Sequence, residues 1–276
     1  MKTLRHITIL LLAAAIGVLA GDARTAGKEP ARVLRVCADP ANLPMSNQEG
    51  QGYENRVAAL VARELHAELA YTWWAQRRGF FRNTLNAGTC DVVMAVPSGL
   101  DMARTTRPYF RSTFAFVTRR SDSMDDLRSI DDPRLRTMRI GVPLAGDDGG
   151  NPAPVHALAR RGIVDGLVGF SLWGEYRREL PSAVEALQRG EVDVAILWGP
   201  VAGWGAKRSA VPLNVVPVEE ERDERVPFAF SMSMAVRRKD VALARELDAV
   251  IERAGMQLTN ILHDAGVPLL PLEPRP

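Results

Sequence analysis

Twice along this chain a helix-like run closes in a small polar turn, sets an acidic residue three positions after a glycine, and passes straight into a compact apolar run. The two stretches are LNAGTCDVVMAV (85–96), with Gly88 and Asp91, and LQRGEVDVAILW (187–198), with Gly190 and Asp193. A glycine takes the left-handed turn that ends a helix without steric cost, and a short apolar run bounded by turn residues suits a buried strand. The surroundings of the first copy supply the matching elements. VLRVCAD (33–39) is β-rich, and Val57, Leu60, Val61, Leu65 and Leu69 recur at helical intervals over 52–69. AYTWW (70–74) reads as a strand and GFFRNTLNAG (79–88) as a short helix. This β-α-β-α-β alternation predicts an α/β fold with a parallel sheet and helices on its faces.

A second unit repeats the logic. STFAFVTRR (112–120) alternates as a strand leaving the first unit, and a polar, acidic segment follows over 121–133. RIGVP (139–143), a helix over 153–163, a strand over 168–173, a helix over 181–191 and a strand over 192–199 make the second unit. Beyond a charged loop (218–227), FAFSMSMAVRR (228–238) alternates as a strand, and 241–266 is helical with Gly255 as its break. WGPVAGW (198–204) reads as a glycine-rich loop carrying two tryptophans.

The amino-terminal residues predict export. Lys2 and Arg5 precede an apolar run over 7–20, and small residues at 18–23 offer a cleavage point, the pattern of a Sec signal peptide ending at residue 20 or 23. The apolar run is short for a bilayer span of about 20 residues, so the mature chain is expected in the periplasm and not as an integral membrane protein. Cleavage removes two basic residues and no acidic one, which balances the 35 Lys and Arg of the full chain against its 33 Asp and Glu. Balanced charge, with arginine doublets scattered among acids, argues against a nucleic-acid partner. The remaining length exceeds one hydrophobic core and predicts two lobes. Cys37 and Cys90 suit a disulfide in an oxidising compartment, yet parallel strands could hold them too far apart, so spacing leaves the bond open.

These motifs, with RPYF (107–110) after the first G…D strand, resemble those of type II periplasmic solute-binding proteins over nearly the whole mature chain. The resemblance implies two α/β lobes joined by two crossovers, with residues 31–119 and 228–276 in lobe 1 and 121–226 in lobe 2. LRVCADPANLPMSN, NTLNAGTCDVVMAVPSGLD, TTRPYFRSTFAFVTR, ALARRGIVD and VDVAILWGPVAGW together are similar to a narrower branch, the quinoprotein-dehydrogenase-associated proteins of MoxJ/XoxJ type. That resemblance implies an accessory role in the maturation or activity of a PQQ-dependent methanol or alcohol dehydrogenase as partner. Arg104 stands only four residues before Pro108, a shortened version of the arginine clamp of amino-acid-binding relatives, so an α-amino acid is not the expected ligand.

In open α/β sheets ligands bind beyond the carboxyl ends of the strands, and this rule selects the candidate cleft residues. Asp39, Asn42 and Met45 follow the first strand, Ser98 and Asp101 the third, and Tyr109 and Arg111 belong to the RPYF region. In the second unit Asp147 and Asn151 precede a helix, Trp173 and Tyr176 follow one strand, and Trp198, Pro200 and Trp204 follow the last. Aromatic rings there would stack on a planar or apolar small-molecule ligand or anchor a partner; the same rings could equally plug the core. No His-Glu-x-x-His, Gly-x-Ser-x-Gly or phosphate loop occurs, and His66, His156 and His263 stand apart, so no catalytic residue, metal or cofactor is expected. A transporter's solute-binding protein for a small organic solute, or a dehydratase-type cleft enzyme using Asp39, Asp101 or Glu175, are the alternative readings.

Overall fold

The computed structural model describes residues 32–144, 151–171, 182–220, 222–223 and 226–272. The expected signal peptide and the candidates Asp147, Trp173 and Tyr176 lie outside these residues. The first unit begins with β1 (Val33–Ala38), the short pair β2 (Ala41–Asn42) and β3 (Ser46–Asn47), α1 (Tyr53–Glu64) and β4 (Glu68–Trp73). Helix α1 buries Val57, Leu60 and Val61, as their spacing predicts. It stops earlier than the apolar spacing to Leu69 suggests. His66 turns the chain at φ 50°, and Glu68 N–H bonds Arg32 O at 2.7 Å, so the last residues of the expected helix extend β4 alongside β1.

Helix α2 (Phe80–Asn83), β5 (Val92–Pro97) and the long β6 (Arg104–Arg119) complete the first unit. The second holds β7 (Ile140–Leu144), α3 (Ala153–Arg160), β8 (Leu167–Ser171), α4 (Ala183–Gln188), β9 (Val194–Trp198) and α5 (Gly199–Arg208). Strand β10 (Leu213–Pro217), a two-residue pair β11 (Arg222–Asp223) and β12 (Val226–Pro227), and β13 (Ala229–Val236) follow. Helices α6 (Val241–Arg253) and α7 (Gly255–Asp264) break at Gly255, as expected.

Among the described residues nine strands form one sheet in the order β4-β1-β5-β13-β6-β9-β7-β8, with β10 also on β6. Strands β4, β1 and β5 are parallel, as are β8, β7 and β9, while β13 and β6 join the two sets through antiparallel pairing. Strand β6 pairs with β13 up to Thr113 and with β9 from Phe114 onward, so one unbroken strand serves both lobes. The first crossing that the resemblance implies, near residues 119–121, lies at the carboxyl end of this strand. One main core gathers α1, α6 and α7 on the first lobe around Val57, Phe110, Met234 and Leu247. The second lobe has cores on both faces, around Phe116 and Ile140 and around Ala195 and Leu187.

The cysteine question has a direct answer. Strands β1 and β5 are neighbours, with Val36 opposite Val92, and Cys37 and Cys90 are bonded with their Cα atoms 5.5 Å apart. The twin turns also behave alike. Gly88 and Gly190 adopt φ 77° and 70°. Asp91 then receives Arg35 through Nη2 at 2.6 Å and Nε at 2.9 Å, and Asp193 receives Arg139 at 2.6 Å and 3.2 Å. Each pair ties the start of a central strand to its parallel neighbour, at the end of the sheet away from the strands' carboxyl termini. Burial would raise the Asp91 carboxyl, but Arg35 and Arg237 outweigh it and hold it below its ordinary range. Arg139 lowers Asp193 in the same way.

One expectation is overturned. Residues 199–208 are not a loop but helix α5. Pro200 sits in its first turn, where no N–H partner is needed. The glycines that disfavour a helix locally are required by packing: a Cβ at Gly203 would lie 1.7 Å from Gly266 O, and one at Gly199 would lie 2.5 Å from Thr113 O. Tertiary approach thus overrides intrinsic propensity.

Candidate functional site

The strand register brings the carboxyl ends of both lobes to the middle of β6. Pro97, the last residue of β5, is level with Met232, which faces Phe110 of β6; Trp198, the last residue of β9, faces Phe114. The two sets of strands therefore point at each other across a junction at residues 110–114, where the open-sheet rule locates a ligand or partner. Trp198 occupies that junction. Its ring meets Phe114 edge-on at 5.6 Å and Phe230 at 5.7 Å, and it packs against the main core of each lobe. Each such pair contributes about 0.5–1.5 kcal/mol beyond area burial. Trp198 remains half-buried, so the ring both joins the cores and keeps an accessible edge.

The first-lobe candidates are held by local bonds. Asp39 accepts from Ala41 N at 2.8 Å and Gln76 N at 2.6 Å, and Asn42 Nδ2 donates to Gln76 Oε1 at 3.1 Å. These bonds tie the loop after β1 to the segment after β4. Met45 packs on the first core, and its carbonyl accepts from Glu54 N at 2.9 Å. Ser98 donates to Ser231 O at 2.9 Å and lies 2.6 Å from Ser233 Oγ, which fastens the end of β5 to β13. Tyr109 is buried and donates to Met94 O at 3.0 Å; Arg111 and Pro200 are buried as well. Asp101 and Asn151 are exposed. Arg104 donates to Arg238 O at 3.0 Å. Trp204 lies on α5 beneath Arg208, whose guanidinium carbon is 3.3 Å from the ring centroid.

Sequence reasoning missed Phe114 and Phe230, the partners of Trp198, although both occupy alternating positions in the runs recognised as strands. It also missed Glu54, a buried carboxyl at the start of α1. Desolvation, with the Asp39 charge acting in the same direction and a hydrogen bond with Tyr53 opposing it, pushes Glu54 up to about 8. No group of three or more His, Cys, Asp or Glu suited to a metal occurs among the described residues, and none of their helices is long and apolar enough to cross a membrane.

Comparison with known proteins agrees with this architecture. No protein-family model matches the chain. Protein MoxJ of Methylorubrum extorquens AM1 is 31% identical over 261 residues, covering 91% of this chain and 86% of that protein. The crystal structure of MxaJ from Methlophaga aminisulfidivorans MPT superposes with a TM-score of 0.73 at 29% identity, over 86% of this chain and all of that one. The periplasmic binding protein XoxJ from Methylobacterium extorquens AM1 gives 0.69 at 34% identity, over 87% of this chain and all of that one. With the type II two-lobed sheet, the paired turns and this likeness along nearly its whole length, the chain belongs to the MoxJ/XoxJ family of periplasmic-binding-protein-like proteins.

Proposed function

We propose that the protein is a periplasmic accessory protein, exported through a signal peptide in residues 1–20 or 1–23, that supports the maturation or activity of a PQQ-dependent methanol or alcohol dehydrogenase. The observation that carries this reading is the likeness to MoxJ and XoxJ along almost the entire chain. The interlobe junction supports it from the physical side. An aromatic cluster, Trp198 with Phe114 and Phe230, stands where the strand ends of both lobes meet. Such a surface suits a partner segment or an apolar ligand better than a charged solute. In this reading lobe 1 comprises residues 31–119 and 228–276, lobe 2 comprises 121–226, and the protein performs no catalysis of its own.

The test is capture from the periplasm. Tagged mature protein, incubated with periplasmic extract of cells induced for methanol oxidation, is expected to retain a quinoprotein dehydrogenase subunit. A chain-deletion strain should accumulate less active dehydrogenase at unchanged transcript level. Full dehydrogenase activity in the deletion strain, together with no capture by folded bait, would sink the proposal.

A further inference from the structure

Helix α5 follows β9 without a break, yet its two sides belong to different cores. Val201, Ala202 and Ala206 pack into the second-lobe core with Leu187 and Ala195, and a Cβ at Gly205 would lie 2.7 Å from Val184 Cγ2 of α4. Gly199, Gly203 and Lys207 recur every four residues and so share the other side of the helix. That side, with Trp204, meets the first lobe. Trp204 packs on the main first-lobe core. Gly203 lies against Gly266, just past α7, so closely that a Cβ at Gly266 would stand 2.7 Å from Gly203 O. Lys207 Nζ, a turn further on, donates to His263 O at 2.7 Å and Asp264 O at 3.1 Å, the last carbonyls of α7. The chain beyond α7 continues the attachment. A Cβ at Gly199 would lie 2.7 Å from Pro268 Cγ. Pro268 O accepts from Ser112 Oγ at 2.7 Å, and Leu270 N donates to Arg111 O at 2.9 Å.

We propose that α5, α7 and the segment after α7 form a latch that holds the two lobes at one fixed opening in the free protein. The point where β6 changes partner and the point where the chain enters β13 lie together: Phe114 N donates to Phe228 O at 3.3 Å, and Thr113 Oγ1 to the same carbonyl at 3.1 Å. Strands that pass between lobes side by side make a hinge, about which one lobe can turn on the other. The latch adds an attachment away from that hinge. Gly199 stands beside it, but Lys207 is eight residues on, about 12 Å along the helix. A rotation of about 15° would carry Lys207 about 3 Å, beyond the reach of both its hydrogen bonds. Rotation about the helix's own direction spares Lys207 but turns Trp204 out of the first-lobe core. The glycine contact is backbone on backbone, with no flexible side chain to give, and such packing deforms little. The latch is a property of the isolated chain, so it stands or falls apart from the accessory role.

Pulsed electron paramagnetic resonance distances between nitroxide labels on the mature chain test it. Met256→Cys on α7 and Val164→Cys between α3 and β8, both exposed, span the two lobes; Met256→Cys with the exposed Met102→Cys stays within the first. Cys37 and Cys90 are bonded to each other and take no label. The interlobe pair is expected to give a single distance, spread no more widely than the pair within one lobe. Lys207→Met removes two bonds of an exposed side chain and leaves both cores intact, so the protein folds. It should widen or shift the interlobe distance by about 3 Å, the displacement that the lost bonds had prevented. Gly203→Ala, which drives α5 off α7, should do so further, and the pair within the first lobe should stay as it was in both variants. An interlobe distribution in the parent as broad as in the variants would overturn the proposal. So would an interlobe distance that neither variant widens or shifts.

Discussion

Substituting Gly203 by alanine tests whether helix α5 is shaped by what it touches rather than by its own sequence. In an exposed helix this change gains about 1 kcal/mol. Here the new Cβ would lie 1.7 Å from the carbonyl oxygen of Gly266 and 2.5 Å from its carbonyl carbon. Both are backbone atoms, and Gly266 itself holds the chain at φ 80° where α7 ends, so neither side yields cheaply. The helix must withdraw, which costs about 1–3 kcal/mol as an overpacked contact. Withdrawal also stretches the bonds from Lys207 Nζ to His263 O at 2.7 Å and Asp264 O at 3.1 Å. These are exposed, so their loss adds about 1 kcal/mol. Against the propensity gain, the net expectation is a destabilisation of about 2 kcal/mol, or a melting temperature lower by roughly 4–8 °C for a chain of this size. Gly255→Ala is the matched control, since no atom lies within 4 Å of its added Cβ. It should leave stability unchanged or raise it. Thermal and urea unfolding of both variants read the result. A Gly203→Ala protein that melts at or above the parent would refute the packing argument.

Three further outcomes follow from the same structure. Trp198→Ala removes both edge-on ring pairs and the side chain shared by two cores, and should cost about 3 kcal/mol in urea unfolding; a loss below about 1 kcal/mol would show that the ring is only a surface wall. Glu54 is held protonated in the folded protein up to about pH 8, whereas the unfolded chain ionises near the ordinary 4.5. The folded state then binds more protons than the unfolded one between these values, so stability falls as pH rises through that window, by about 1.4 kcal/mol per unit at most. Glu54→Gln should flatten this decline, and an unchanged slope between pH 5 and 8 would exclude it as the cause. Asp91 and Asp193 have the opposite sign: their lowered carboxyls stabilise above the ordinary carboxylate range, and that contribution is lost as pH falls through the folded values. Asp91, with two arginine partners and a side chain 16% exposed, should lose about 2 kcal/mol as Asn at neutral pH. Asp193, with Arg139 and 29% exposure, should lose about 1 kcal/mol; the reverse order in chemical unfolding would contradict the paired-clamp reading.

The most readable parts of this chain were those set by neighbours in sequence. The turns at Gly88 and Gly190 need only a residue tolerant of positive φ. The acids three positions later then reach a partner at the start of a parallel strand. Helical spacing located the buried face of α1, and alternation located β13, because each pattern records which side of an element meets water. The same local logic failed where a distant segment set the outcome. Leu65 and Leu69 fit a continuing helix, but pairing with β1 drew Glu68 and Leu69 into β4. Cys37 and Cys90 could be matched in sequence yet not measured, since their separation depends on which strands become neighbours. Phe114 and Phe230 were visible as strand residues, while their meeting with Trp198 required β6 to pass from one lobe to the other and β13 to return beside it. Sequence by itself determined most of the elements, their order and the α/β class, because periodicity and turn chemistry act over a few residues. Only the tertiary structure decided that WGPVAGW is a helix and that its first tryptophan joins two cores, because glycine-to-glycine approach and ring packing are energies between segments far apart in the chain.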